Sequence, residues 1–140
     1  MKILVAADGS PFTKRMLGYL AAHDEWLGPR QSYTVLTVVA PVPARAAAVL
    51  AKDLLESYYH DEAEKVFKPI REFFAQQGLQ AEYVAKHGHA AEMIAAHAEQ
   101  GKYDLLMLGS HGHGALTNLV MGSVATKVVA HCGVPVLLVR

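Results

Sequence analysis

The groups best suited to chemistry gather in residues 105–127, which read L-L-M-L-G-S-H-G-H-G-A-L-T-N-L-V-M-G-S-V-A-T-K. An apolar run, Leu105 to Leu108, breaks into glycines at 109, 112 and 114, and a second small pair, Gly122-Ser123, follows. An apolar run that stops in glycines reads as a buried strand leading into a tight loop. With no Cβ in the way, backbone N–H groups of such a loop can close around an anion. A helix that starts just downstream adds its partial positive charge at the same place. The expected chemistry is phosphate binding by the N–H groups of Gly109 to Gly114 and by the Gly122-Ser123 pair. The same residues admit a plainer reading, in which the glycines ease a turn and the small pair lets a helix pack closely on a sheet. The spacing is not G-x-x-x-x-G-K-S/T, so no Walker A lysine is present. Nor is it a G-x-G-x-x-G turn after the first strand.

Other reactive types are scattered. Asp8 ends the first apolar run, where a carboxylate could accept hydrogen bonds from a ribose or an adenine amine; Asp-Gly-Ser is also ordinary turn chemistry. Thr117 and Asn118 are polar at an expected helix start, and Thr117 could be a simple N-cap. His87-Gly-His89 and His111-Gly-His113 form two pairs at strand–helix turns. Four imidazoles could hold zinc, but no H-E-x-x-H or Cys/His spacing accompanies them, and no metal site is assigned. Cys132 reads as a buried thiol. G-x-S-x-G is absent, so Ser-His-Asp catalysis has no nucleophile elbow and no catalytic residue is assigned.

The elements that must position these groups alternate. Ile3 to Ala7 reads as a first strand, stopped by Asp8-Gly9-Ser10-Pro11. Ser10 suits an N-cap and Pro11 the first helical position, opening a helix to about Ala22. Tyr33 to Val39 is a second strand. Arg45 to Gln77 is a long helical region with an apolar stripe at Ala63, Val66, Phe67, Ile70, Phe73 and Phe74. Pro69 should kink or split it, and Gly78 should stop it. Gln80 to Lys86 is strand three, Ala90 to Gln100 a helix, Asp104 to Leu108 strand four, Leu116 to His131 a helix, and Val134 to Val139 strand five. Alternation of this kind predicts one α/β domain over residues 1–140: an open, five-stranded, parallel, Rossmann-like sheet covered on both faces. Right-handed crossovers favour the order 3-2-1-4-5, which brings the turns after strands one and four together at a switch point.

Composition narrows the classes. The chain is 140 residues and 52 % hydrophobic, with 13 basic and 13 acidic residues and a formal net charge of zero. That supports a real core and supplies no basic field for nucleic acid. One cysteine allows no internal disulfide, and no apolar stretch reaches the ~18–20 residues of a membrane span. The expectation is a cytoplasmic protein with no membrane or nucleic-acid partner.

The segment G-S-H-G-H-G-A-L-T-N-L-V-M-G-S-V resembles the ATP-binding signature of the universal stress protein family, G-2x-G-9x-G-S/T, matching at Gly109, Gly112, Gly122 and Ser123. The opening K-I-L-V-A-A-D-G-S resembles that family's first strand and turn, and G-V-P-V-L-L-V its closing strand. The likeness spans essentially the whole chain and is least clear over residues 41–79. It implies the adenine nucleotide alpha hydrolase-like fold. It also implies a stress-response protein that binds ATP, ADP or AMP without turning it over, with Mg2+ as an optional companion. Ala6, Ala7 and Asp8 are implied on the adenosine side, and Val38 at the adenine. Ser110, His111 and His113 join the glycines and Ser123 on the phosphate side, and Val124 completes the set. The likeness further implies a homodimer through Val134 to Val139. Two positions depart from the pattern: 113, often basic, is His, and 118, often Arg, is Asn, so less fixed positive charge faces the phosphates. Two rivals stand beside this reading, a weak ATP hydrolase or nucleotidyl transferase on the same scaffold, and an interaction module without nucleotide.

Overall fold

Successive residues of the first strand, β1 (Lys2–Ala6), bury on opposite faces, because strand side chains alternate. Ile3 and Val5 join one core; Leu4 and Ala6 join the other. A strand buried on both sides needs cover on both sides, and the chain supplies it with helices. The computed structural model describes residues 1–114 and 120–140. After β1 come α1 (Pro11–Ala22), β2 (Ser32–Val39), α2 (Ala44–Val49), α3 (Lys52–Gln76), β3 (Ala81–His87), α4 (Ala90–Gln100), β4 (Leu105–Gly109), α5 (Ser123–His131) and β5 (Val136–Val139). The strands form one sheet in the order β3-β2-β1-β4-β5, and every pairing is parallel. This is the expected order.

One core packs α1 (Met16, Leu17, Leu20) and α3 (Ala63, Phe67, Ile70, Phe74) against Ile3, Val5, Val35 and Met107. The other packs α4 (Ile94, Ala98) and α5 (Ala125, Val128) against Leu4, Leu36, Leu106 and Leu108. In register, Ala6 lies beside Leu36 on one side and Leu108 on the other, so β1 and β4 end close together while β2 runs on to Val39.

Several strand ends shift by one residue from the sequence reading, and three boundaries differ by more, each for a local reason. The long helical region divides at Leu50–Ala51, whose backbone is extended, and not at Pro69; α3 runs through the proline. A mid-helix proline costs ~3 kcal/mol. Burial of Phe67, Ile70 and Phe74 on the sheet, at ~1.5–3 kcal/mol per large apolar side chain, outweighs that cost. Strand five begins at Val136 because Pro135 has no N–H to give; its carbonyl instead accepts from Leu106 N at 2.9 Å. The last helix begins at Ser123. Gly122, in extended conformation, is its N-cap, and the first helical bond runs from Thr126 N to Gly122 O at 2.9 Å. The expected start at Leu116, with Thr117 and Asn118, falls outside the described residues.

Candidate functional site

The turn after β1 is built by two side chains. Asp8 Oδ1 accepts the Ser10 N–H at 2.9 Å and the Thr13 hydroxyl at 3.1 Å. Thr13 Oγ1 in turn accepts the N–H groups of Asp8 at 3.2 Å and Gly9 at 3.1 Å. Gly9, at φ +79°, occupies a conformation that a side chain would strain. Ser10 takes the N-cap position of α1 as expected, and its carbonyl accepts from Thr13 N at 3.0 Å. Its hydroxyl does not cap the helix. It is fully buried and has no hydrogen-bond partner among the described residues.

The chain after β4 is pinned from both sides. Ser110 N–H donates to Val139 O at 2.8 Å, continuing the sheet, while Ser110 O accepts from Gly122 N at 2.7 Å. That second bond closes the loop on itself and sets the start of α5 against the end of β4. A Cβ on Gly122 would lie 3.1 Å from His111 Cα and 3.2 Å from Ser110 O, and one on Gly112 would lie 2.7 Å from Asp8 Oδ2. These glycines are therefore needed for close approach, since neither has a left-handed φ. His113 Nε2 donates to Asp8 O at 2.7 Å, tying the β4 loop to the β1 turn; the carbonyl can only accept, which fixes the proton on Nε2. Ser110 Oγ and His111 Nδ1 share a hydrogen bond of 2.9 Å, and the His111 ring tilts over Phe12 at 5.0 Å.

Between these turns lies a cavity of about 360 Å³. Its inner end is apolar, formed by Ala6, Leu36, Val38, Ala90, Ile94 and Leu108. Its outer end carries Asp8, His111, Gly112, His113, Gly122 and Ser123. The structure thus brings Ala6, Ala7, Asp8, Val38, Gly109, His111, Gly112, His113, Gly122, Ser123 and Val124 to one cavity. Ser110 is the exception. It is 1 % exposed and does not line the cavity, because its backbone is engaged by β5 and Gly122 and its side chain by His111. Residues the sequence reading passed over also line it: Ser10 in the β1 turn, Phe12 and Thr13 on α1, and Ala90 and Ile94 on α4. For Thr13 the signal was available in the Asp-x-x-x-x-Thr spacing across a turn. Ala90 and Ile94 are far in sequence and reach the cavity only through the sheet order.

The first turn of α5, a helix of nine residues, opens onto the outer end, where its leading N–H groups have no intrahelical acceptor. Among the described lining residues there is no Lys or Arg, and Asp8 is the one carboxylate. Magnesium is held by one or two carboxylates together with substrate phosphates, and among the described lining residues Asp8, whose Oδ1 already accepts two hydrogen bonds, is the carboxylate available for that. The two histidine pairs stand at the same edge of the sheet but are separated by β2 and β1. His87 stacks on Tyr59 at 4.1 Å. Among the described residues no three His, Cys, Asp or Glu side chains gather as a metal site.

An apolar inner end and an outer end of N–H groups suit a ligand with a flat base and an anionic tail. The sequence matches the model of the Universal stress protein family over residues 1–140. It is 34 % identical over 139 residues to the universal stress protein in the QAH/OAS sulfhydrylase 3′ region of Thermus aquaticus, covering 99 % of this chain and 97 % of that one. It is 30 % identical over 150 residues to universal stress protein YxiE of Bacillus subtilis, covering 99 % and 98 %. Among solved structures, that of hypothetical protein MJ0577 superposes with a TM-score of 0.83 at 24 % identity, covering 99 % of this chain and 94 % of that one. A universal stress protein in complex with cAMP superposes at 0.71 and 18 % identity, covering 100 % and 97 %. An Arabidopsis thaliana family protein with AMP bound superposes at 0.69 and 16 % identity, covering 99 % and 90 %.

Proposed function

This chain belongs to the universal stress protein family, and from that premise we propose that it binds ATP or a related adenine nucleotide in the cleft between the β1 turn and the β4 loop, as a cytoplasmic stress-response protein. One observation carries the reading: the N-terminus of α5 and the Gly109–Gly114 backbone open onto the outer end of a cavity whose inner end is apolar. Adenine enters between Val38 and Ile94, Asp8 takes the ribose, and the phosphate end meets N–H groups and the Ser123 hydroxyl. Fold relatives solved with cAMP and AMP support the same ligand class.

Binding without turnover fits the donor set. The described lining offers no lysine and no carboxylate pair, and the serine of the Ser110–His111 pair lies outside the cavity. We further propose a homodimer. β5 is at the sheet edge and its Val136, Leu137 and Leu138 are only half-buried, so its outer backbone groups and apolar side chains both gain from a second copy. Among the described residues no helix is long and apolar enough to cross a membrane.

The test is direct. Protein denatured gently and read by mass spectrometry is expected to release an adenine nucleotide. Added nucleotide at 100 times its Kd is expected to stabilise the fold by ~2.7 kcal/mol. No released nucleotide and no thermal shift with millimolar ATP, ADP or AMP would reject the reading. Phosphate release in single turnover above the buffer rate, abolished by Asp8→Ala, would favour the enzyme instead.

A further inference from the structure

The outer end of the cavity is polar without being cationic. From Gly109 to Thr126 the sequence contains no Lys or Arg, and neither does the β1 turn from Ala6 to Thr13. The charged group that lines the described cavity is Asp8, an anion, with its Oδ2 against Gly112. Arg15, on the next turn of α1, holds its guanidinium over the Phe12 ring at 4.8 Å and does not line the cavity.

Uncharged donors are well represented there. α5 presents the N–H groups of its first turn, and Ser123 adds a hydroxyl. Ser10 borders the cavity, and its buried hydroxyl has no partner among the described residues. An unpaired buried donor is costly, and an incoming oxygen would relieve it once the side chain rotates out toward the cavity. A helix N-terminus offers the equivalent of about half a positive charge, enough to favour one phosphate group. A single phosphate monoester carries roughly −1.5 to −2 charges near neutral pH, and each further phosphate adds negative charge that this lining does not neutralise. The cavity, about 360 Å³, also sits at the small end of the ~300–1,000 Å³ range of ligand pockets.

We propose that this cleft is a monophosphate site: it recognises an adenine nucleotide through its base, its ribose and one phosphate received by uncharged donors, and gains nothing from a second or third phosphate. The inference rests on the adenine-nucleotide reading above and refines it.

Calorimetric titration of the whole chain with adenosine, AMP, ADP and ATP separates the two claims. It is run without divalent ions at fixed ionic strength and about pH 8. AMP is expected to bind at least tenfold tighter than adenosine, and ATP no more than threefold tighter than AMP. His113→Arg, which sets a cation at the outer end, is expected to raise the ATP-to-AMP affinity ratio at least tenfold. ATP binding more than threefold tighter than AMP in the unmodified protein overturns the monophosphate proposal and leaves nucleotide binding standing. Adenosine binding as tightly as AMP removes the phosphate subsite altogether. If none of the four ligands binds, the nucleotide reading itself falls.

Discussion

Gly112→Ala is the sharpest perturbation of this site that needs no ligand. The backbone at 112 is one alanine adopts, so the only new element is a methyl group 2.7 Å from Asp8 Oδ2, where ordinary contact begins at 3.4 Å. The carboxylate is not free to swing away. Its Oδ1 holds the Ser10 N–H at 2.9 Å and the Thr13 hydroxyl at 3.1 Å. Relief comes from breaking those two bonds, at ~0.5–1.5 kcal/mol each, or from moving the loop off the β1 turn. Either route costs about 1–3 kcal/mol, the usual range for an added methyl in a tight place. Urea melts of the unliganded protein should therefore show a loss of about 2 kcal/mol at unchanged slope, and thermal melts a drop of roughly 5–10 °C. Asp8→Ala removes the obstacle along with its two bonds. In that background Gly112→Ala should cost under ~0.5 kcal/mol, leaving a coupling of about 1.5 kcal/mol between the two positions. Equal costs in both backgrounds, or a harmless Gly112→Ala in the unmodified protein, would refute the claim that this glycine exists to let the loop pass Asp8.

Three further outcomes follow from the same reasoning. Tyr33 donates its hydroxyl to Leu27 O at 2.6 Å and Gly28 O at 3.1 Å, and burial pushes its phenol from the usual 10.0 up to about 12. The unfolded chain then loses this proton first, so the stability is fully present below pH ~10 and falls by about 2–3 kcal/mol as pH rises towards 12. Tyr33→Phe should flatten the fall in alkaline urea melts, and an unchanged slope would count against it. Ser10→Ala removes a buried hydroxyl without a partner, so the unliganded protein should melt no lower, and by up to ~1 kcal/mol higher; a clear loss of stability would mean the hydroxyl is satisfied. Light scattering over a dilution series should report a dimer that dissociates only at low concentration. Monomer at every concentration would reject pairing through β5.

Sheet order and the place of the cleft were legible because apolar runs and their stops are local. Leu105 to Leu108 ends in Gly109 and Ile3 to Ala7 ends in Asp8, and two strands that stop at turn residues announce a common edge. What escaped was set by distance in sequence or by competition between forces. Ile94 and Ala90 reach the cavity because α4 packs on β2 and beside α5, which no local pattern states. Pro69 signals a break, but the burial of Phe67 and Ile70 decides against it. Ser110 sits inside the glycine signature and looked like a ligand contact. Its role is to fasten, through Val139 and Gly122, the backbone that carries its neighbours. The glycines admit both room for an anion and room for close packing; at Gly112 and Gly122 an added Cβ would also meet other protein atoms.

The bond from Gly122 N to Ser110 O has a consequence for how this scaffold can vary. It clamps Ser110 and Gly122 together beside the sheet, so the start of α5 is held at the end of β4 whatever the length of chain between them. Lengthening an anchored loop is inexpensive, ~0.6 kcal/mol for each doubling. Insertions between Gly114 and Val120 should therefore leave the strands and the last helix in their positions, giving evolution or an engineer a place to vary the chain without moving its frame.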